Sequence, residues 1–306
     1  MLKGQKSLIL LAVVLAVLIV LYMVIRMWNH QSAEKESKRT EEEKSRIAEV
    51  KMEDVTAFRY EKGESKMKFV RKDGKWFYEE DMEVPISQDA VEKAATVFSN
   101  LTVERKLKQP DEMSDYGLDK PSYSMQYIMG DGGEKKICAG DQVQDQYYVT
   151  VDDTKEVYTV AKSYFENLKF SLADFVEYDK VPEIKSGNLV KVEVTENGQK
   201  MEYTLEDELK KMADGFEPLR LNNCQNYHVK EEMLASYGLD EKERTTVTAV
   251  YTEGDDKEEK IFTIHIGKKD SSDKNRYVRA EGSKLVCTVD KELVQKLMLA
   301  GGNSKR

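Results

Sequence analysis

The chain reads as an α+β protein, with a single N-terminal transmembrane helix followed by two tandem repeats of antiparallel strand meanders with covering helices. Three observations predict this. An uncharged apolar run, Leu8 to Ile25, stands before a body rich in charge. Period-two alternation of apolar and polar residues, punctuated by Asp-Gly, Asn-Gly and glycine-rich turns, marks strands joined as hairpins. The same order of motifs occurs twice, and strands and helices are segregated, with no β-α-β alternation to force a parallel sheet.

At 1.5 Å of rise per residue, Leu8 to Ile25 makes a helix of about 27 Å, close to the hydrocarbon thickness of a bilayer. Lys3, Lys6 and the amino terminus precede the run, and Arg26 alone follows closely. The positive-inside rule therefore predicts a cytoplasmic N-terminus and an extracytoplasmic C-terminal body, single-pass in the plasma membrane. A cleaved signal peptide is the competing reading, but the run is longer than such a region and no A-x-A pattern follows it. No cysteine ends the run to carry a lipid. The expected layout is a cytoplasmic N-terminus at 1–6, a signal anchor at 7–28, a charged stalk at 29–50, repeats at 51–180 and 187–300, and a flexible tail at 301–306. The stalk, with Glu34 to Lys38 and Glu42 to Arg46 at i,i+4 spacing, reads equally as a solvated helix or as disorder.

The first repeat opens on Val55, Phe58 and Tyr60, then Met67 and Phe69, then the Asp73-Gly74 turn and Trp76, Phe77 and Tyr78, giving three antiparallel strands. Ser87 can cap a helix over 88–101 whose apolar stripe is Ala90, Val91, Ala94, Ala95, Val97, Phe98 and Leu101. A short helical turn over 111–119 ends at Gly117, where a left-handed residue costs little. Four strands follow at 123–129, 135–138, 147–151 and 157–160, and a helical segment over 163–175 closes the unit. In the second repeat, Leu189, Val192 and Val194 precede Asn197-Gly198. Thr204-Leu-Glu-Asp207 resembles a capping box, and Leu205, Leu209, Met212 and Phe216 share a helix face.

Tyr237-Gly-Leu-Asp240 repeats Tyr116-Gly-Leu-Asp119, Ile264-His-Ile-Gly267 repeats Ile137-Cys-Ala-Gly140, and Val286-Cys-Thr-Val289 repeats Val157-Tyr-Thr-Val160. Matches kept in order with drifting offsets signal an internal duplication with indels in loops. The second half has no clear counterpart of the Trp76 strand, so its first sheet should be the smaller.

Composition narrows function. Residues 1–30 carry Lys3, Lys6 and Arg26 and no acid, so the remainder must hold −12 for the chain to total −9. Such a body repels phosphate backbones, which argues against nucleic acid as a partner. Cys138, Cys224 and Cys287 are far apart without a C-x-x-C spacing, and read either as buried free thiols or as one bridge plus a free thiol. His30, His228 and His265 are the chain's histidines. Alternation places His265 on a solvated strand face and His228 falls in a polar loop, so both read as surface residues. No G-x-S-x-G, H-E-x-x-H or Walker loop is present, and Asp152-Asp153 and Asp255-Asp256 fall in hairpin turns and not in a calcium loop. No enzyme, cofactor or metal site is expected.

The adjacent Tyr147 and Tyr148, with Tyr158 and Tyr277, are the candidate ligand or partner surface, because a tyrosine-bearing sheet face can bind a glycan or peptide. The competing reading is packing.

Glu53-Asp-Val-Thr56, Lys72-Asp-Gly-Lys-Trp76, Tyr116-Gly-Leu-Asp-Lys-Pro121, Ala139-Gly-Asp141, Tyr147-Tyr-Val149 and Val157-Tyr-Thr-Val160 together resemble the family known as domain of unknown function 4340. The resemblance covers nearly the whole first half and, more weakly, the second, where no proline matches Pro121 and Lys268 stands for Asp141. It implies a bacterial cell-envelope protein associated with an ABC-type transport system, with permease and ATPase as partners, and no catalytic residues. The expected function is thus a membrane-anchored, non-enzymatic accessory or scaffold of such an assembly. The alternative is a cell-envelope glycan- or peptide-binding protein.

Overall fold

The computed structural model describes residues 46–152, 154–254 and 257–299. The expected anchor at Leu8 to Ile25, His30, the stalk up to residue 45, Asp153, Asp255, Asp256 and the 301–306 tail lie outside the described residues. Among the described residues, no helix is long and apolar enough to cross a membrane.

The described chain is α+β, built from antiparallel meanders. Strands β1 (Arg46–Glu49) and β5 (Asn100–Thr102) form a two-stranded sheet. The first large sheet uses β2 (Val55–Lys62), β3 (Ser65–Lys72), β4 (Lys75–Tyr78), β6 (Arg105–Lys106), β7 (Tyr123–Met129), β8 (Glu134–Val143), β9 (Gln146–Val151) and β10 (Tyr158–Ala161). The second uses β11 (Leu189–Glu196), β12 (Gln199–Tyr203), β13 (Cys224–Asn226), β14 (Thr245–Glu253), β15 (Glu258–Lys269), β16 (Asn275–Ala280) and β17 (Val286–Asp290).

Their orders are β4-β3-β2-β7-β8-β9-β10-β6 and β12-β11-β14-β15-β16-β17-β13. Without β4, the two orders are the same. β7 to β10 pair antiparallel in succession, as do β14 to β17.

Of the described residues, one compact unit takes those up to Val55, Tyr60–Glu64 and Ala95–Leu168; the other takes Thr56–Arg59, Ser65–Ala94 and those from Lys169 on. The partition therefore runs through β2 and does not follow the sequence repeat. In the first unit the core includes Phe98, Leu101, Tyr127, Ile137, Val149 and Val160, and the buried Tyr127 hydroxyl donates to the Ala95 carbonyl at 2.5 Å. In the second unit Phe69 packs on Phe58 and Phe175, with Trp76 edge-on to Phe58. Val192, Val247, Ile264 and Val278 are fully buried there, and Leu209, Met212 and Phe216 turn inward from helix Glu206–Phe216.

The Tyr-Gly-Leu-Asp motif has one structural role, used twice. A 3-10 turn, Met113–Tyr116 or Glu231–Tyr237, ends at Gly117 (φ +67°) or Gly238 (φ +64°) in the left-handed region. Leu118 and Leu239 then donate backbone hydrogen bonds of 2.9 Å to Met113 and Leu234. The turn's last carbonyl lies against a second glycine: a Cβ on Gly140 would collide with the Tyr116 oxygen, and one on Gly267 with the Tyr237 oxygen. The two halves of the repeated motif are therefore one contact.

Several expectations are corrected. The stalk stops short of Val50, because Arg46–Glu49 pairs as β1 with β5 and buries Ala48. The helix predicted over 88–101 ends at Thr96. Leu101 instead pairs with Ala48, and that strand partner ends the helical phase. The segment 163–175 is a helix over Ser163–Glu166 and a separate 3-10 turn, Leu172–Asp174. The capping box at Thr204 does not form: Leu205 holds the N-cap position without a side-chain cap. Cys224 and Cys287 stand opposite each other in β13 and β17 and are joined as a disulfide, while Cys138 is a buried free thiol.

Candidate functional site

Strand alternation sends the adjacent Tyr147 and Tyr148 to opposite faces of β9. Tyr147 is half-buried against Tyr123 (5.6 Å between ring centroids) and Phe165 (5.2 Å), and burial pushes its phenol up. Lys62 lies 4.9 Å from the Tyr123 ring centroid, and its pKa is raised by hydrogen bonding to Tyr123. Tyr148, also half-buried, packs on Tyr116 at 4.8 Å, over a small cluster of Tyr116, Leu118, Cys138 and Val157. Tyr158 is buried, and its hydroxyl donates to Glu156, which also pairs with Lys106. Tyr277 belongs to the second sheet, where it meets Tyr237 edge-on at 5.0 Å over Val229, Leu234, Leu239 and Val286.

Tyr148 and Tyr277 are thus the same position in the two repeats, each packed on the tyrosine of its Tyr-Gly-Leu-Asp turn. Their edge-on and tilted geometries are those aromatic rings prefer. Tyr147 and Tyr148 do not share a face, so the four residues do not form one patch.

Both described histidines depart from the surface reading. His265 is 3% exposed; its Nδ1 is 3.1 Å from the Thr246 hydroxyl and its Nε2 is 2.8 Å from the Glu281 carboxylate. Burial, with the positive field of Arg244, holds its pKa below the usual 6.5 against the opposing pull of Glu281. The outer strand face is not open to solvent at this point, because Glu281 and the neighbouring strands enclose the ring. His228 is half-buried and its Nδ1 lies 2.9 Å from an Asp81 oxygen, a partner 147 residues away.

This pair belongs to a seam of matched polar groups within the second unit. Glu83 pairs with Lys284, the Ser283 hydroxyl donates to Asp179 at 2.5 Å, and Arg279 donates to the Ser283 carbonyl at 2.6 Å. Burial raises Asp81, but hydrogen bonds from His228 and the Glu83 amide outweigh it and leave the carboxyl below its ordinary range. The contacts act as a fastening: Glu83 meets Lys284, and the Asp81 and Asp179 carboxylates each accept a hydrogen bond. No sequence spacing announces it, since its members are brought together only by the fold.

Two open depressions are also present. One of about 360 Å³ is lined by Glu49, Val50, Lys51, Asp54, Met129 and Lys135. The other, of about 410 Å³, is lined by Pro110, Asp111, Glu112, Met113, Asp115 and Lys155. Among the described residues, no group of three or more His, Cys, Asp or Glu side chains could hold a metal ion.

Two antiparallel sheets of matching strand order, apart from β4, with paired Tyr-Gly-Leu-Asp turns, define a duplicated α+β protein. The family model for the domain of unknown function DUF4340 matches residues 76–219 and again 206–300, and the chain belongs to that family, with two copies of the domain. A solved structure described as a thioesterase-like protein from Clostridium sporogenes is similar at 16% identity over 39% of this chain and 99% of that one. Its TM-score of 0.28 is too low to carry an argument. None of the curated proteins compared with the chain matches it.

Proposed function

We propose that the protein is a membrane-anchored, extracytoplasmic and non-enzymatic accessory or scaffold of an ABC-type transport assembly. The observation that carries this reading is the uncharged run from Leu8 to Ile25 with Lys3 and Lys6 before it, which anchors the body on the far side of the membrane. The Cys224–Cys287 disulfide supports the same side, because such bonds persist in oxidising compartments. In this layout residues 1–6 are cytoplasmic, 7–28 span the plasma membrane, and the stalk hands over to the folded body at Arg46.

The anchor confines the body to two dimensions and raises its effective concentration near a membrane partner. The permease and ATPase are expected partners. Nucleic acid is not, given the net negative charge.

The test is affinity purification of the tagged full-length protein from mildly solubilised native membranes. Stoichiometric recovery of a permease and an ATPase supports the accessory role. Their loss, in preparations that keep known membrane complexes intact, overturns it and turns attention to glycan or peptide ligands at Tyr147 and Tyr148. Thiol alkylation on intact cells reads the location separately: Cys224 and Cys287 that alkylate without prior reduction place the body in a reducing compartment.

A further inference from the structure

The two sheets differ at one place, and the difference leaves an edge open. In the first repeat β3 is covered by β4, with Phe69 opposite Tyr78 and Arg71 opposite Trp76. Among the described residues of the second repeat, β12, the counterpart of β3, ends the sheet. Each strand follows a two-residue turn and has methionine as its third residue. Met67 is 2% exposed, whereas Met201 is 40% exposed and the nearby Leu205 is 66% exposed. By comparison with the first repeat, the place beside β12 is the one that β4 fills beside β3.

We infer that the occupant is β12 of a second copy of this chain. The turn Asn197-Gly198 has positive φ at both residues, 50° and 74°, so Glu196 and Gln199 form the hydrogen-bonded pair that closes a two-residue hairpin. Alternation along an antiparallel ladder then points the backbone groups of Gln199, Met201 and Tyr203 toward β11, and those of Lys200 and Glu202 outward.

A two-fold axis through Met201 brings Lys200 opposite Glu202 of the second copy, and Glu202 opposite its Lys200. Both are outward-pointing pairs, so they exchange four backbone hydrogen bonds across the axis. The same register sets opposite charges directly across from one another, the favourable cross-strand arrangement, and covers Met201 with its own copy. Lys200 and Glu202 already bridge to Glu193 (2.6 Å) and Lys191 (3.3 Å) within the chain, so the charges would alternate along the joined edge. The area is smaller than that of a freestanding dimer interface, and the association depends on confinement of the copies in one membrane, a part of the inference that rests on the proposed anchor.

The test uses full-length protein in its native membrane. Met201 pairs with itself at a non-hydrogen-bonded position, where side chains approach most closely. Met201→Cys should therefore give a reducible dimer with a mild thiol oxidant, in at least tenfold greater yield than Lys257→Cys on the neighbouring hairpin turn. In the Met201→Cys background, Lys200→Glu or Glu202→Lys alone should lower the yield at least tenfold.

The double variant should restore the yield, although it reverses both bridges within the chain. Protease resistance of the body verifies folding in each case. A Met201→Cys yield no greater than the Lys257→Cys control overturns the inference, as does a yield that ignores the single reversals or stays low in a folded double variant. Fractionation of the same cells reads the anchor independently, so protein recovered in membranes without cross-linking refutes the pairing and leaves the anchor standing.

Discussion

Gly140 and Gly267 each lie where a side chain has no room, since the nearest atom to an added Cβ is a backbone carbonyl oxygen. Gly140→Ala should therefore force the Tyr116 turn away and cost about 1–3 kcal/mol, the usual range for overpacking. A shift of the urea midpoint at unchanged slope would verify it; an unchanged midpoint would show that the turn yields freely. His265 carries a pH prediction. Its folded pKa is depressed by burial and by Arg244, so below the ordinary value of 6.5 the unfolded chain binds the proton more readily. Stability is then fully present above pH 6.5 and is lost as the pH falls through the folded value. Thr246, Glu281, Arg244 and Arg279 are the groups that face the ring or act on it. Unfolding at pH 7.5 and 5.5 should show a smaller difference in His265→Asn than in wild type.

Strand β4 shows how an edge can be closed by a side chain. The Gln88 carboxamide accepts from the Trp76 amide at 2.7 Å and donates to the Trp76 carbonyl at 3.0 Å, satisfying both groups as a further strand would. The Trp76 indole also donates to Glu92 at 2.6 Å on the same helix. Gln88→Ala should cost about 1–3 kcal/mol, the penalty for unpaired backbone groups, and speed amide exchange at Trp76 and its neighbours. Unchanged exchange there would mean that water replaces the carboxamide without loss. In the first repeat β4 covers β3 and Gln88 in turn caps β4, whereas β12, the counterpart of β3, is the last strand of its sheet among the described residues.

At the scale of the molecule, the Cys224–Cys287 bond joins residues 63 apart and ties the short edge strand β13 to β17. A bond closing a loop of that length typically contributes about 2–4 kcal/mol, chiefly by restricting the unfolded chain. Cys287→Ser, or reduction of the wild type, should lower the unfolding free energy by that amount with little change in the folded spectrum. Equal stability of oxidised and reduced protein would show that the ladder alone holds β13. Asn223 adds a side-chain hydrogen bond to Thr288 at 2.9 Å beside the bond, so β13 is held on more than one contact.

The strands were legible in the sequence because period-two patterning and turn chemistry act locally: Tyr123 to Met129 and the Gly117 turn follow from a few adjacent residues. The duplication was legible because both copies keep the same local solutions, down to the second sheet's missing counterpart of the Trp76 strand. The His228–Asp81 pair and the Cys224–Cys287 bond were not, because they depend on distances that only chain closure sets. His265 was misplaced because alternation identifies a face but not what covers it. By itself the sequence determined the α+β class, the repeated strand grammar and an acidic body behind an apolar run. The tertiary structure alone decided which polar groups meet, which tyrosines pack and which edge stays open, since partners distant in the chain become neighbours only after the sheets assemble.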